Sequence, residues 1–271
     1  YMKYCKITKP IGLEDVCGEI EKICSEAHAY KQCGLRPPHL AIQLDSGSGR
    51  TTILEYMTDC FSETGVLDFN RSLDDYIELT FDGTLQQLKQ SFNTIDSAAV
   101  YTNGFCNIVG MDISAISQHL GEVQCTEFLK NCKTVSETAC IVFFIHSSPT
   151  RNEEKLLSKL CENVENIKRL GTVPYSEENI CDLIIKNIKE HGVTISHSET
   201  FRTALLKIVN AFNITSVKSA ISTAEMVIHY ADFSGFSPFI DERGLKAFIE
   251  QYNKPFERSD KNEQKRKMEY R

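Results

Sequence analysis

The sequence lacks the features that would assign it to a membrane, nucleic-acid-binding or repetitive class of protein. Its longest apolar run, Ala139 to Ile145, has the length of a strand and falls far short of the roughly 18 residues that a membrane-spanning helix needs. Lysine and arginine number 30 against 37 aspartates and glutamates, and the formal net charge of -7 leaves room only for a local basic patch. No internal repeat or low-complexity tract is visible. We therefore expect a globular protein with no membrane segment and no general affinity for nucleic acid.

The eleven cysteines contain no Cys-x-x-Cys pair. Several lie at helical spacing among apolar neighbours, as Cys17 does with Cys24 and Cys125 with Cys132. This placement is typical of cysteines that serve as small buried hydrophobic side chains in a reducing compartment. Disulfides and a metal site are the less favoured alternatives. We expect free thiols and a cytoplasmic location.

The remaining composition is that of an ordinary globular protein, and two kinds of segment alternate along it. With 271 residues, 41% hydrophobic and 25% charged, the chain is long enough for one large domain or two modest ones. Short apolar runs are separated by longer segments with helical periodicity. The predicted strands are Leu40–Leu44, Tyr76–Phe81, Phe105–Met111, Ala139–Ile145 and Ile167–Val173. This alternation predicts an α/β domain over residues 1–174, with a parallel sheet covered by helices on both faces.

The pattern changes after Pro174, where no convincing strand follows. Four helices are predicted instead, over Glu177–Lys189, Glu199–Phe212, Ser216–Tyr230 and Glu242–Tyr252. Residues 175–252 are therefore predicted to form a small all-helical domain. The last segment, 253–271, is charged and almost devoid of large apolar residues, which predicts a frayed helix or a disordered tail.

A glycine-rich segment joins the first predicted strand to the next helix. Such a turn suits phosphate, because its small residues let backbone N–H groups converge on the anion at the helix N-terminus. The usual pattern, G-x-x-x-x-G-K-[ST], adds a lysine that reaches the outer phosphates and a hydroxyl that binds Mg²⁺. Here Leu44 replaces the first glycine, Arg50 replaces the lysine, and Thr51 keeps the hydroxyl. The residues predicted to bind the phosphates of ATP or ADP are Asp45, Ser46, Gly47, Ser48, Gly49, Arg50, Thr51 and Thr52.

Two alternatives stay open for this segment. It is either a working phosphate loop or a merely structural turn between strand and helix. If it binds, the amides of residues 46–51 hold the phosphates and Arg50 lies at the edge of the site, because a planar guanidinium does not substitute for a compact ammonium. In the alternative, Arg50 turns away and pairs with a carboxylate such as Glu14 or Asp112, so that it fills the site itself.

In the order of its elements, the chain resembles the AAA+ ATPase family from about Pro10 to Tyr230. An Ile11-Gly12-Leu13 entry precedes the first helix; the altered phosphate loop, a strand ending in an acid, a strand with a polar end and a helical lid follow. Within the family the chain looks most like the branch that includes bacterial Rubisco activases and sporulation-type proteins. The resemblance implies an AAA+-like fold, ATP or ADP with Mg²⁺, and assembly with other subunits in a homo-oligomeric ring or a hetero-assembly.

The resemblance also indicates where the hydrolytic residues would lie. In the family a strand ends in Asp-Glu, where the aspartate holds Mg²⁺ and the glutamate polarises water. Here the strand Ile108–Asp112 matches, so that Asp112 and Thr51 are the candidate magnesium ligands, but Ile113 stands in the glutamate's place. An aliphatic side chain cannot orient or deprotonate water. Asp112 could equally be the N-cap of the helix that follows.

Further positions that the resemblance identifies are changed as well. In the family an arginine finger would lie in the segment Leu160–Glu165, which carries acids here. A second arginine, called the second sensor, would lie in the helical lid near residues 215–218, where Lys218 is the one basic residue. At the end of the next strand, His146-Ser147-Ser148, a serine could position water, although a loop start and a strand-end histidine are the simpler interpretations. Phe81-Asp82-Gly83 is a candidate pore loop, and a turn is the simpler interpretation of it.

These changes together predict a catalytically impaired AAA+-like module with a structural, regulatory or assembly role. An arginine finger alone raises the rate of hydrolysis on the order of 10³- to 10⁵-fold. Because both the finger and the glutamate are missing, efficient ATP hydrolysis is not expected. The first alternative is an active ATPase with unusual residues, in which Arg50 contacts phosphate. The second is a pure protein-interaction domain whose phosphate loop stays empty.

Overall fold

The structure is a computed structural model that describes residues 9–45, 47–67, 76–79, 92, 105, 107–233, 235 and 238–251. Three features predicted from the sequence lie outside these residues: Ser46, the candidate pore loop at 81–83 and the tail 253–271. The chain divides into two compact units, Tyr1–Val173 and Pro174–Arg271. None of the described helices is long and apolar enough to cross a membrane.

The first unit is built around a parallel sheet, as the alternating pattern predicts. Its described elements are α1 (Glu14–Gln32), β1 (His39–Gln43), α2 (Arg50–Thr64), β2 (Ile77–Leu79), β3 (Asn107–Asp112), α3 (Ile113–Ser117), α4 (Glu122–Ser136), β4 (Ala139–Ile145), α5 (Arg151–Asn163) and β5 (Ile167–Leu170). The five strands lie in the order β2-β3-β4-β1-β5, and every neighbouring pair is parallel. The carboxyl ends of β1, β3 and β4 therefore meet at one edge of the sheet.

Both faces of the sheet are covered by helices. All seven residues of β4 are buried, which is expected of a central parallel strand with helices on each side. On one face Val109, Ile141 and Phe143 belong to a hydrophobic cluster that includes side chains of α4 and α5. On the other face α2 approaches β3 so closely that a Cβ on Gly110 would lie 2.7 Å from Leu54 Cδ1. The alternation of faces along β3 and β4 follows the two-residue period of a strand.

One predicted helix is interrupted. The sequence pattern through Ile116, Leu120 and Phe128 suggests a single helix, whereas the structure has the five-residue α3 followed by α4. Gly121 separates them because it adopts an extended conformation, with ψ 171°. The side chain of Gln124 accepts a hydrogen bond from the Gly121 amide at 2.8 Å and so stabilises the start of α4.

The second unit is mainly helical. Its elements are α6 (Glu177–Glu190), β6 (Thr194–Ile195), α7 (Glu199–Ala211), α8 (Val217–Ile228), β7 (Phe239–Ile240) and a helix over residues 242–251. Ser176, Ser198 and Ser216 are the N-caps of α6, α7 and α8, and each hydroxyl accepts a hydrogen bond from the third residue of its helix. The parallel pair formed by β6 and β7 is not predicted, because two-residue strands are too short to show a period.

Candidate functional site

The glycine-rich segment lies where the sequence analysis expects it, between the end of β1 and the start of α2. Gly47 and Gly49 have φ of 78° and 93°, a backbone region that other L-residues rarely adopt. Gly49 is the N-cap residue of α2, and the Ser48 amide donates to the Asp45 carbonyl at 3.1 Å. The two glycines therefore allow the chain to turn tightly out of the sheet and into the helix.

The N-terminus of α2 has no side-chain cap among the described residues. This 15-residue helix follows Gly49, and its first turn carries no acidic residue. The first amides of a helix have no partner within the helix, and the helix dipole adds partial positive charge there. The helices α6, α7 and α8 each have a serine cap, whereas α1, α2 and α4 have no side-chain bond from the N-cap residue. The start of α2 differs from α1 and α4 in following the glycine-rich turn, which suits an anion.

Arg50, the first residue of α2, turns back into the protein. Its side chain is only 8% exposed. Nε donates to the carbonyl of Leu44 at 3.0 Å, Nη1 pairs with Asp112, and the guanidinium carbon lies 5.4 Å from the centre of the Phe144 ring. Nη2 is buried and has no hydrogen-bond partner among the described residues. Of the two candidate positions for Arg50, the structure has the ion pair, and with Asp112 instead of Glu14.

Asp112 also caps a helix. Its Oδ1 accepts from the amides of Ser114 and Ala115, at 3.0 and 3.3 Å, while Oδ2 accepts from Arg50. The N-cap role, which the sequence leaves open, is therefore present in the structure. Ion pair and cap together use both carboxylate oxygens.

The donor set does not fit a magnesium ion at this position. Both oxygens of Asp112 are already engaged, and one of them is paired with the positive guanidinium of Arg50, which would repel a cation. The hydroxyl of Thr51, the other candidate ligand, faces Glu78 Oε2 at 3.3 Å. Within the described part of the chain, no three His, Cys, Asp or Glu residues are grouped so that they could hold a metal ion.

Ile113 contributes to the hydrophobic core. It is fully buried, in the same cluster as Phe128 of α4 and Leu157 of α5. The position that would polarise water in the family thus carries an apolar side chain that packs against helices.

At the end of β4, His146 has a carboxylate partner that the sequence analysis did not find. His146 Nδ1 lies 2.9 Å from Glu153 Oε1, and Glu153 is 1% exposed. Glu153 also accepts from the Ser114 hydroxyl and, at 2.7 Å, from the Thr150 amide. Burial opposes ionisation of this carboxyl, but the hydrogen bonds from Ser114, Thr150 and His146 outweigh it and lower its pKa to about 2.

A sequence signal for this contact did exist. Thr150 and Glu153 form the T-x-x-E capping box of α5, and such a box fixes its glutamate at the start of a helix. A short turn from the end of β4 then brings that glutamate back to His146. The arrangement positions the loop after β4 and leaves the His146 side chain 37% exposed.

Asp45 joins the loops that follow β1 and β4. Its two oxygens accept from the amide and the hydroxyl of Ser147, at 3.0 and 2.8 Å. Burial tends to raise the pKa of Asp45, but the bonds from Ser147 and the nearby charges of His146 and Arg50 lower it overall. Ser147 therefore uses its hydroxyl to fix the two loops together.

The basic residues of β5 are also engaged, since Lys168 pairs with Glu19 and Arg169 with Glu154 at 3.3 Å. The preceding segment, Leu160–Glu165, contains no arginine. Within the first unit, neither the segment nor β5 presents an unpaired arginine that could reach a neighbouring subunit.

Comparisons with known proteins identify the fold. No family model matches the sequence, and no curated protein matches it either. Among solved structures, a variant of RuvB from Thermotoga maritima matches with TM-score 0.60 and 16% identity, over 89% of this chain and 69% of that one. The T. maritima RuvB Holliday junction branch migration motor matches with TM-score 0.54 and 14% identity, over 86% and 68%. PCH-2 of C. elegans matches with TM-score 0.52 and 14% identity, over 88% and 69%.

Identities this low establish the fold and nothing finer. The neighbours share the parallel sheet and the helical region that follows it. This chain therefore has the α/β AAA+-like fold, with a helical C-terminal unit.

Proposed function

We propose that the chain binds ATP or ADP at residues 45–52 and acts as a structural, regulatory or assembly component, without efficient ATP hydrolysis. The observation that carries the proposal is the pairing of Arg50 with Asp112 beside the buried Ile113. The loop thus lies beside an Asp112 whose two oxygens are already engaged and an apolar side chain at the position of the water-polarising acid. We further propose that the chain belongs to the Rubisco-activase and sporulation-type branch of AAA+ proteins, and that it assembles with other protein subunits.

Binding is supported by the backbone of the loop. Gly47 and Gly49 keep the left-handed backbone turn at the start of α2, and the backbone donors of a helix start do not depend on the side chain at position 50. The unused Nη2 of Arg50 adds a charged donor. Donors of both kinds suit the phosphates of a nucleotide.

Lack of turnover is supported by the side chains around the loop. Hydrolysis of a phosphoanhydride needs a group that orients water and cations that offset the charge of the transition state. Ile113 cannot orient water, and Arg169 is paired with Glu154. His146 is the one basic group at the end of β4, and its Nδ1 is held by Glu153.

A second candidate function is a protein-interaction domain whose loop binds no nucleotide. The ion pair favours it, because Arg50 already provides Asp112 with the positive charge that a ligand complex would otherwise supply. Calorimetric titration of ATP and ADP separates the two candidates.

The binding test compares two glycines at opposite ends of α2. Gly49 has φ 93° in the loop, and Gly65 has φ 70° at the C-cap, so alanine strains the backbone at both positions. We expect Gly49→Ala to weaken ATP binding at least about tenfold, whereas Gly65→Ala should bind like the wild type. No heat from the wild type at millimolar nucleotide would favour the interaction domain. Equal loss in both variants would contradict binding at the loop.

Hydrolysis is tested by phosphate release. We expect wild-type protein to release phosphate no faster than Thr51→Ala, which lacks the only hydroxyl that the motif assigns to the metal. Thr51 is exposed, so this control keeps the fold, whereas Asp112→Ala would leave buried Arg50 without its partner. A Mg²⁺-dependent rate clearly above the control would establish an active ATPase instead.

A further inference from the structure

Around the loop, the described polar groups that lack a hydrogen-bond partner are donors. Arg50 Nη2 is more than nine-tenths buried with its residue and lacks a partner among the described residues, and the N-terminus of α2 has no cap. A guanidinium offers five N–H donors and no acceptor. Both features belong to the start of α2, since Arg50 is the first residue of that helix.

The carboxylate oxygens of the same region are all engaged already. Each oxygen of Asp45 accepts from Ser147, and each oxygen of Asp112 accepts from Arg50 or from the start of α3. Both oxygens of Glu153 are also used, by His146 and Ser114 on one side and the Thr150 amide on the other. A hard cation needs several free oxygen ligands, and these three acids do not supply them.

Charge leads to the same result. Arg50 and Asp112 neutralise each other, and Phe144 stacks beneath the guanidinium from the sheet. A divalent cation next to Asp112 would meet a partly buried positive charge, and water screens such repulsion poorly there. Arg50 thus holds the position in which a metal ion would otherwise stabilise the phosphates.

We propose that the loop takes its nucleoside di- or triphosphate as the metal-free anion, with the Arg50 guanidinium in the electrostatic place of Mg²⁺. This inference rests on the proposed nucleotide binding. Asp112 acts as a positioning residue, since it orients the guanidinium through Nη1 and leaves Nη2 for a phosphate oxygen. The metal ligands predicted from the motif, Thr51 and Asp112, then have no metal to hold.

The test is a calorimetric titration of ATP into the wild-type chain, once with excess EDTA and once with excess MgCl₂. We expect affinity in EDTA to equal or exceed that in MgCl₂, because the free nucleotide carries more negative charge than its magnesium complex. Binding that is more than about tenfold tighter with MgCl₂ would overturn the inference while leaving nucleotide binding intact. No binding in either buffer would overturn the proposed function and, with it, this inference.

Arg50→Lys supplies the matched variant. A single ammonium cannot contact the Leu44 carbonyl, Phe144 and Asp112 at once as the guanidinium does, so Asp112 Oδ2 becomes available. We expect MgCl₂ to strengthen ATP binding to this variant about tenfold. We also expect the electron paramagnetic resonance spectrum of Mn²⁺ to show protein-bound metal in the ATP complex of the variant but not in that of the wild type. Mn²⁺ bound in the wild-type complex would contradict the inference. A thermal melt without nucleotide checks that the variant is folded. If the variant is not folded, the titrations of the wild type in EDTA and in MgCl₂ still test the inference.

Discussion

Two buried basic side chains of the first unit, Arg50 and His39, have different surroundings. Arg50 has a partner carboxylate: Asp112 and the Leu44 carbonyl contact its guanidinium, and Phe144 lies on one side of it. His39 is buried as the neutral imidazole: it is 5% exposed, and its Nδ1 accepts a hydrogen bond from the amide of Ile141 at 3.0 Å. A buried charge is tolerated where a partner carboxylate exists, and is otherwise lost by deprotonation.

His39 therefore makes stability depend on pH. Burial, assisted by the charge of Arg36, lowers its pKa from 6.5 to about 4. The unfolded chain binds a proton between these values and the folded chain does not, so stability is retained above pH 6.5 and falls as pH drops towards 4. At about 1.4 kcal/mol per pKa unit, the loss amounts to roughly 3 kcal/mol.

Urea unfolding at a series of pH values checks this expectation. His39→Gln keeps an acceptor for the Ile141 amide and removes the titrating ring, so its stability should vary less over the same pH range. His28→Gln is the control, since His28 lies on α1 and is not buried. Equal pH slopes for the wild type and His39→Gln would show that other groups cause the dependence.

At the scale of elements, the position of α2 depends on a residue without a side chain. Leu54 of α2 and Phe144 of β4 approach the Cα of Gly110 so closely that a Cβ there would lie 2.7 and 3.3 Å from them. Strand β3 can pass beneath α2 only because Gly110 leaves that space. Because Arg50 is the first residue of α2, this contact also helps to fix the position of Arg50 in the candidate site.

Gly110→Val should destabilise the fold by about 1–3 kcal/mol, because its methyl groups overpack a region that has no free space. Gly18→Val is the matched control: Gly18 is on α1, where an added Cβ would meet nothing within 4 Å, so its replacement should change stability by less than about 0.5 kcal/mol. Denaturant unfolding measures both. Similar free energies for the two variants would mean that Leu54 moves aside at little cost.

At the scale of the whole molecule, the chain consists of two compact units, Tyr1–Val173 and Pro174–Arg271. Residues 171–176 between β5 and α6 have no regular secondary structure, and Val173 is 65% exposed. Each unit has a hydrophobic cluster of its own. These features support the domain boundary near Tyr175 that the sequence analysis proposes.

Limited proteolysis tests the boundary. We expect brief digestion with proteinase K, which has little sequence preference, to cleave within residues 171–176 before it cleaves within α6 or α7. A protease needs an exposed segment without regular structure, and Val173 is 65% exposed. Intact-mass measurement identifies the fragments. Early cleavage inside α6, with residues 171–176 left intact, would contradict the boundary.

Several features of this protein follow from the sequence alone. Buried strands appear as continuous apolar runs and helices as a 3.6-residue period, so the pattern of β1, β3 and β4 predicts the parallel sheet. The position of the glycine-rich loop and the apolar residue at 113 are likewise local and readable. Local patterns report burial and backbone conformation, and these determine the fold class.

Only the tertiary structure decides what the loop residues contact. Arg50 and Asp112 are 62 positions apart, and they meet because α2 begins at the edge where β3 ends. The link from Asp45 to Ser147 spans 102 positions and depends on β1 lying beside β4. No periodicity in the sequence encodes which strand ends become neighbours. The sequence therefore predicts a phosphate loop with altered residues, whereas the fold decides that its arginine neutralises the acid that would hold a metal.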